Sequence, residues 1–118
     1  MAAIGVLALA APAARADATK PCSELAFSPG TTLESSNYGA GDITALRTSC
    51  PVARLVVRGL EGRGGLSYSA HGFRCKGTAT SSEPGARKDW RCTRTVIKGK
   101  RPHRRKVRQV VTFYSLGA

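Results

Sequence analysis

Acidic residues are scarce: 7 Asp+Glu stand against 19 Lys+Arg in 118 residues, a formal charge of +12 at pH 7. A carboxylate-rich catalytic or metal centre therefore has little material to draw on. Histidine is scarcer still, with His71 and His103 alone to act as general bases near neutrality. There is no C-x-x-C pair; the gaps between successive cysteines are 27, 24 and 16 residues, which argues against the local half-sites of structural zinc. His71 and Cys75 could share a strand face, but one such pair is not a metal site. No apolar run reaches the roughly 20 residues needed to span a bilayer, so no transmembrane segment is expected. The length leaves room for one domain and excludes a multidomain enzyme, a polytopic membrane protein and a coiled coil.

The hydrophobic content of 42% is concentrated at the N-terminus, where 9 of the 17 alanines fall within the first 18 residues. Residues 1–18, MAAIGVLALAAPAARADA, run from an apolar stretch through Pro12 to two small-x-small sites, Ala14-Arg15-Ala16 and Ala16-Asp17-Ala18. They read as a signal peptide cut after Ala16 or Ala18, although no Lys or Arg precedes Arg15. Residues 19–118 then form a single small basic domain, secreted and either free or associated with the cell wall. From Asp17 onward there are 23 large apolar side chains, close to the lower limit for one stable core without covalent help.

Export supplies that help. Cys22, Cys50, Cys75 and Cys92 are an even set in a short exported chain, so two disulfides are expected. A turn centred on Glu83-Pro84 sets Cys75 opposite Cys92 on adjacent strands. If the Cys50 thiol lies between that pair and the helix, the two opposed cysteines each take a partner elsewhere. The expected pairs are Cys50 with Cys75 and Cys22 with Cys92, with Cys50–Cys92 and Cys22–Cys75 next.

The elements follow from periodicity. In residues 50–61, CPVARLVVRGLE, Cys50, Ala53, Val57 and Leu60 fall on one helical face while Arg54, Arg58 and Glu61 fall opposite. Thr48-Ser49 supply the N-cap, Pro51 sits in the first turn, and Gly62 ends the helix. The glycines of residues 59–65 follow the helix, at its carbonyl end, so they do not cradle a phosphate. Before the helix, residues 42–47 read as a short strand, and residues 19–41 as loop with at most one edge strand. After it, alternation predicts strands through Phe73 and Cys75, through Trp90 and Cys92, and over residues 107–116. The expected fold class is α+β: one helix packed on a small antiparallel meander sheet, braced by two disulfides.

Ile43-x-Ala45, Ser49-Cys50 with Ala53, Arg54, Val56 and Val57, Gly72-Phe73-x-Cys75, Trp90-x-Cys92-Thr93-Arg94 and Val111-Thr112-Phe113 form a spaced pattern. It resembles a group of short, exported, basic actinobacterial proteins with no assigned activity, over about two-thirds of the chain. The resemblance implies a helix-plus-sheet fold tied by disulfides and carries over no catalytic residue. A longer basic insertion after Ile97 departs from that pattern.

Charge is segregated, with residues 60–118 carrying 14 Lys+Arg and 3 acids (14 − 3, net +11) and residues 1–59 carrying 5 and 4 (5 − 4, net +1). This favours a monomeric, non-catalytic binding module for anions such as acidic polysaccharide, wall polymer, lipid head groups or nucleic acid, without sequence preference. Its candidate anion-binding residues are Lys98, Lys100, Arg101, Arg104, Arg105, Lys106 and Arg108 in the segment KGKRPHRRKVR, read as a mobile hairpin loop in which Pro102 prevents a regular helix or central strand. The outward Arg74, Lys76 and Arg91 extend the track along the sheet. The bland alternative is charge that only keeps an exported protein dispersed. Two others are a small ribonuclease using His71 with Glu34 or Asp89, and a protease-inhibitor-like module presenting residues 81–85. No catalytic residue, cofactor or metal ligand is assigned.

Overall fold

The structure, a computed structural model, describes residues 18–118, so the expected leader lies outside the described residues except for Ala18. The elements are β1 (Lys20–Cys22), β2 (Leu25–Ala26), α1 (Leu33–Ser36), β3 (Gly39–Leu46), α2 (Cys50–Arg58), β4 (Ser67–Ala70), β5 (Phe73–Ala79), β6 (Lys88–Lys98) and β7 (Arg105–Leu116). All seven strands join one antiparallel sheet in the order β1-β3-β7-β6-β5-β4, with β2 also pairing β3. Four consecutive strands, β4 to β7, form the expected meander. β3 then returns to the far side of β7, so the sheet as a whole is more than a meander.

The described residues are richer in strands than expected, and among them are two helices rather than the one expected. The segment before β3, expected to hold at most one strand, contains β1, β2 and α1. α1 is one turn long and starts at a capping box: Thr32 Oγ1 accepts from the Ser35 backbone N–H at 3.1 Å, and the Ser35 side chain accepts from the Thr32 N–H. Leu33 is its buried anchor.

α2 starts as the sequence predicts, with Ser49 Oγ accepting from the Val52 N–H at 3.3 Å and proline in the first turn. Regular α structure ends at Arg58, three residues early. The chain tightens there into i→i+3 bonds, from the Leu60 N–H to Val57 O and from the Glu61 N–H to Arg58 O. That tighter winding keeps the predicted face turned inward, and Leu60 is fully buried beside Ala53, Val56 and Val57.

α2 covers one face of the sheet. Beneath it lie Ile43 and Ala45 of β3, Phe73 and Cys75 of β5, Trp90 and Cys92 of β6, and Val111 and Phe113 of β7. At one end Tyr68 stands edge-on to Trp90, which stacks on Phe113 with ring planes 11° apart. The polar tips are satisfied: the Tyr68 hydroxyl donates to Val56 O at 2.8 Å, and Trp90 Nε1 donates to Ser115 Oγ at 2.9 Å. Burial holds the Tyr68 phenol well above the ordinary tyrosine pKa, against a smaller opposing effect of the nearby Arg63 charge.

The disulfides correct the expected connectivity. They join Cys22 to Cys50 and Cys75 to Cys92. The register does set Cys75 directly opposite Cys92, with Cα atoms 4.0 Å apart, but no third thiol intervenes. Cys50, in the first turn of α2, lies over β1, and its Cα is 5.5 Å from that of Cys22. β1 and β6 are separated by β3 and β7, three strand spacings or about 14 Å, well beyond disulfide reach. Both expected patterns bring Cys22 across that gap or beyond it.

Candidate anion-binding surface

Antiparallel alternation sorts the cations. On β5, β6 and β7 the side chains of Phe73, Cys75, Trp90, Cys92, Val111 and Phe113 enter the core, so their neighbours along each strand point to the opposite, outer face. That outer face carries Arg74 and Lys76 on β5, Arg91 on β6, and Lys106 and Arg108 on β7, all exposed. Lys76 pairs directly with Arg91, a like-charge cross-strand pair that works against the fold rather than for it. The acid on this part of the face, Asp89, is engaged by Arg87 at 3.1 Å. Arg87 also lies 4.2 Å over the ring of Tyr114, fixing a cation beside that aromatic.

The expected hairpin loop over residues 98–108 is shorter than expected, because the strands run on and leave residues 99–104 as the turn. Pairing between β6 and β7 continues through Thr95↔Arg108, Val96↔Val107 and Ile97↔Lys106 to Lys98↔Arg105. The β-branched residues Thr95, Val96, Ile97 and Val107 suit a ladder, and Pro102 falls in the turn, where its missing N–H costs no strand pairing. β5 stops pairing at Arg74↔Thr93 and β3 stops at Leu46↔Val110. Residues 94–98 and 105–109 therefore stand out from the sheet as a two-stranded ribbon.

The seven cations expected to act together on one loop are thereby divided. Lys106 and Arg108 join the outer face. Lys98 and Arg105, directly opposite each other, face the α2 side, while Lys100, Arg101 and Arg104 occupy the turn. All seven are exposed.

The ribbon is anchored at its base by groups the sequence reading did not single out. Arg94 Nη1 donates to His71 O at 2.8 Å, and its guanidinium lies 4.5 Å over the Phe73 ring. Gln109 Nε2 donates to Arg47 O at 2.7 Å, and Arg47 Nη1 donates to Arg108 O at 3.1 Å. Arg94 was visible in the Cys92-Thr93-Arg94 motif. Arg94 Nε also donates to Gln109 Oε1, a bond that depends on the β6–β7 register, and the role of Arg47 depends on β3 lying beside β7.

The residues considered for catalysis are dispersed. His71 is exposed at positive φ in the β4–β5 turn, Glu34 belongs to α1, and Asp89 is held by Arg87. Among the described residues no hydrogen bond or ion pair joins any two of these three. No cysteine there is free, and no group of three or more His, Cys, Asp or Glu side chains is placed to hold a metal. No described helix is long and apolar enough to cross a membrane. The loop of residues 81–85 is exposed at the end of the β5–β6 hairpin that Cys75–Cys92 ties together. The chain matches no protein-family model, and no curated protein or solved structure matches it either.

Proposed function

We propose that this protein is an exported, disulfide-braced, non-catalytic module that binds anionic polymers outside the cell, either acidic polysaccharide and wall polymer or nucleic acid. Two disulfides suit an oxidising, extracellular setting. The observation that carries the reading is the outer face of β5, β6 and β7 with its ribbon. Arg74, Lys76, Arg91, Lys106 and Arg108 are exposed there on a rigid sheet, and cations are placed directly opposite one another at Lys76↔Arg91 and, on the ribbon's reverse side, at Lys98↔Arg105. A fold gains nothing from those like-charge pairs, whereas a polyanion relieves their repulsion and releases its own condensed counterions. The outer face offers Tyr114 as its one aromatic and the ribbon offers none, so binding follows charge density rather than base identity.

The test is affinity for heparin and for double-stranded DNA across a salt series, in the wild type and in a variant with Arg101, Arg104, Arg105 and Lys106 changed to Ser. Affinity should fall steeply with salt, and the variant should show a shallower slope, reduced by up to about four contacts' worth on DNA. Equal affinity and equal slope in the two proteins would leave the charge with no binding role.

A further inference from the structure

The α2 side of the ribbon forms a groove that meets the outer face at Lys106 and Arg108. It is open, has a volume of about 1110 Å³, and is walled by the ribbon on one side and by the start of α2 and the end of β3 on the other. Seven of its fifteen lining residues are Lys or Arg, and none is Asp or Glu. Its cations differ in freedom. Arg94 and Arg47 are committed to the hydrogen bonds that anchor the ribbon, which keeps the floor in place. The side chains of Lys20, Lys98 and Arg105 make no hydrogen bond or ion pair with the described residues and are free to meet a ligand's charge.

Of the eight other lining residues, Thr48, Ser49 and Gln109 are polar and the other five are aliphatic. Val96 and Val107 oppose each other on the ribbon, Val52 of α2 faces them across the groove, and Ile97, 59% exposed, stands at the edge. No aromatic side chain lines the groove, so a nucleobase or sugar ring has no platform to stack on. Branched aliphatic walls beside unpaired cations suit a flexible hydrocarbon chain that ends in a negative head.

We propose that this groove is a second binding site, for a single-chain anionic lipid: an aliphatic tail held by Val52, Val96 and Val107, and a phosphate, sulfate or carboxylate head met by Lys20, Lys98 and Arg105. It shares an anion preference and the rim cations Lys106 and Arg108 with the polymer reading, but none of Arg74, Lys76 and Arg91 lines it, so either reading can fail without the other.

The experiment is calorimetric titration of the oxidised protein with dodecyl phosphate below its micellar concentration, beside dodecyl maltoside and inorganic phosphate. Dodecyl phosphate should bind one to one and at least about tenfold tighter than either control, because head and tail each contribute. A Val96→Ser, Val107→Ser variant should lose roughly fivefold or more of that affinity and keep its heparin binding. Lys20→Ser changes an exposed strand residue with little risk to folding, and it should weaken dodecyl phosphate but not dodecyl maltoside. Arg74→Ser with Arg91→Ser should weaken heparin and leave dodecyl phosphate unchanged. Dodecyl phosphate binding no tighter than inorganic phosphate overturns the groove proposal, as does equal loss in the Arg74, Arg91 variant. Heparin binding that is absent from the wild type, or that is unchanged in the Arg74, Arg91 variant, counts against the polymer reading only.

Discussion

Arg94 and Gln109 oppose each other on β6 and β7, and Arg94 Nε donates to Gln109 Oε1 at 2.6 Å. Gln109 is 5% exposed, and its amide uses both ends, accepting from Arg94 while donating to Arg47 O. One side chain thus links β6, β7 and the end of β3 at the point where the ribbon leaves the sheet.

Gln109→Leu should therefore cost about 1–3 kcal/mol, because it strips partners from a guanidinium and a carbonyl in a half-buried site. Chemical denaturation would show the loss. Amide exchange should quicken in residues 94–98 and 105–109 ahead of β4 and β5, and a uniform loss of protection would count against this anchoring role.

Tyr68 predicts an alkaline limit to stability. Its phenol is buried and donates to Val56 O, so its folded pKa lies above the ordinary value of about 10. The stabilisation is fully present below that ordinary value and declines as pH rises beyond it, since the unfolded chain then loses a proton that the native chain keeps. Tyr68→Phe should cost about 1 kcal/mol near neutrality and flatten the decline above pH ~10. Denaturation midpoints across alkaline pH decide this; identical slopes in the two proteins would remove Tyr68 as the cause.

Non-reducing peptide mapping should recover Cys22 joined to Cys50 and Cys75 joined to Cys92. With separations of 28 and 17 residues, loop closure gives each bond about 3 kcal/mol of stabilisation, the longer loop slightly more. Paired Cys→Ser variants followed by thermal melts measure it. A variant that melts with the wild type would show that its bond constrains nothing.

Gly77 lies directly opposite Trp90, and a Cβ there would sit 2.9 Å from the indole ring. Gly77→Ala should cost about 1–3 kcal/mol through overpacking and shift the tryptophan emission, as the ring is pushed from its stack on Phe113. An unchanged spectrum and melting curve would mean that the ring accommodates the methyl group.

Local pattern exposed much of this architecture in advance. The α2 face, its Ser49 cap and the Cys75↔Cys92 register are short-range, set by a helical period and by one turn around Glu83-Pro84. The connectivity was not legible, because it depends on β1 joining the sheet beside β3, a contact between segments that no alternation reveals. The cations followed the same division. The exposure of Arg74, Lys76 and Arg91 follows from strand parity, while the split of residues 98–108 between two faces requires knowing that β6 and β7 keep pairing past Thr93. Charge density suggested a loop there, yet Val96, Ile97 and Val107 already favoured a ladder. α1 was missed although Thr32 and Ser35 stand at capping distance, because Ser replaces the usual Glu or Gln at the third helical position.

The ribbon beyond Thr93 and Val110 has both outer edges open, with backbone donors and acceptors unclaimed by a third strand. Such edges are templates for pairing with another chain, and natural sheets guard them with charge. Here Lys98, Arg105, Lys106 and Arg108 keep two copies of the protein apart by repulsion. A polyanion that neutralises those cations removes the guard at the moment it binds. Near charge balance, complexes should therefore cluster through ribbon edges and turn turbid, and an excess of either component should disperse them again.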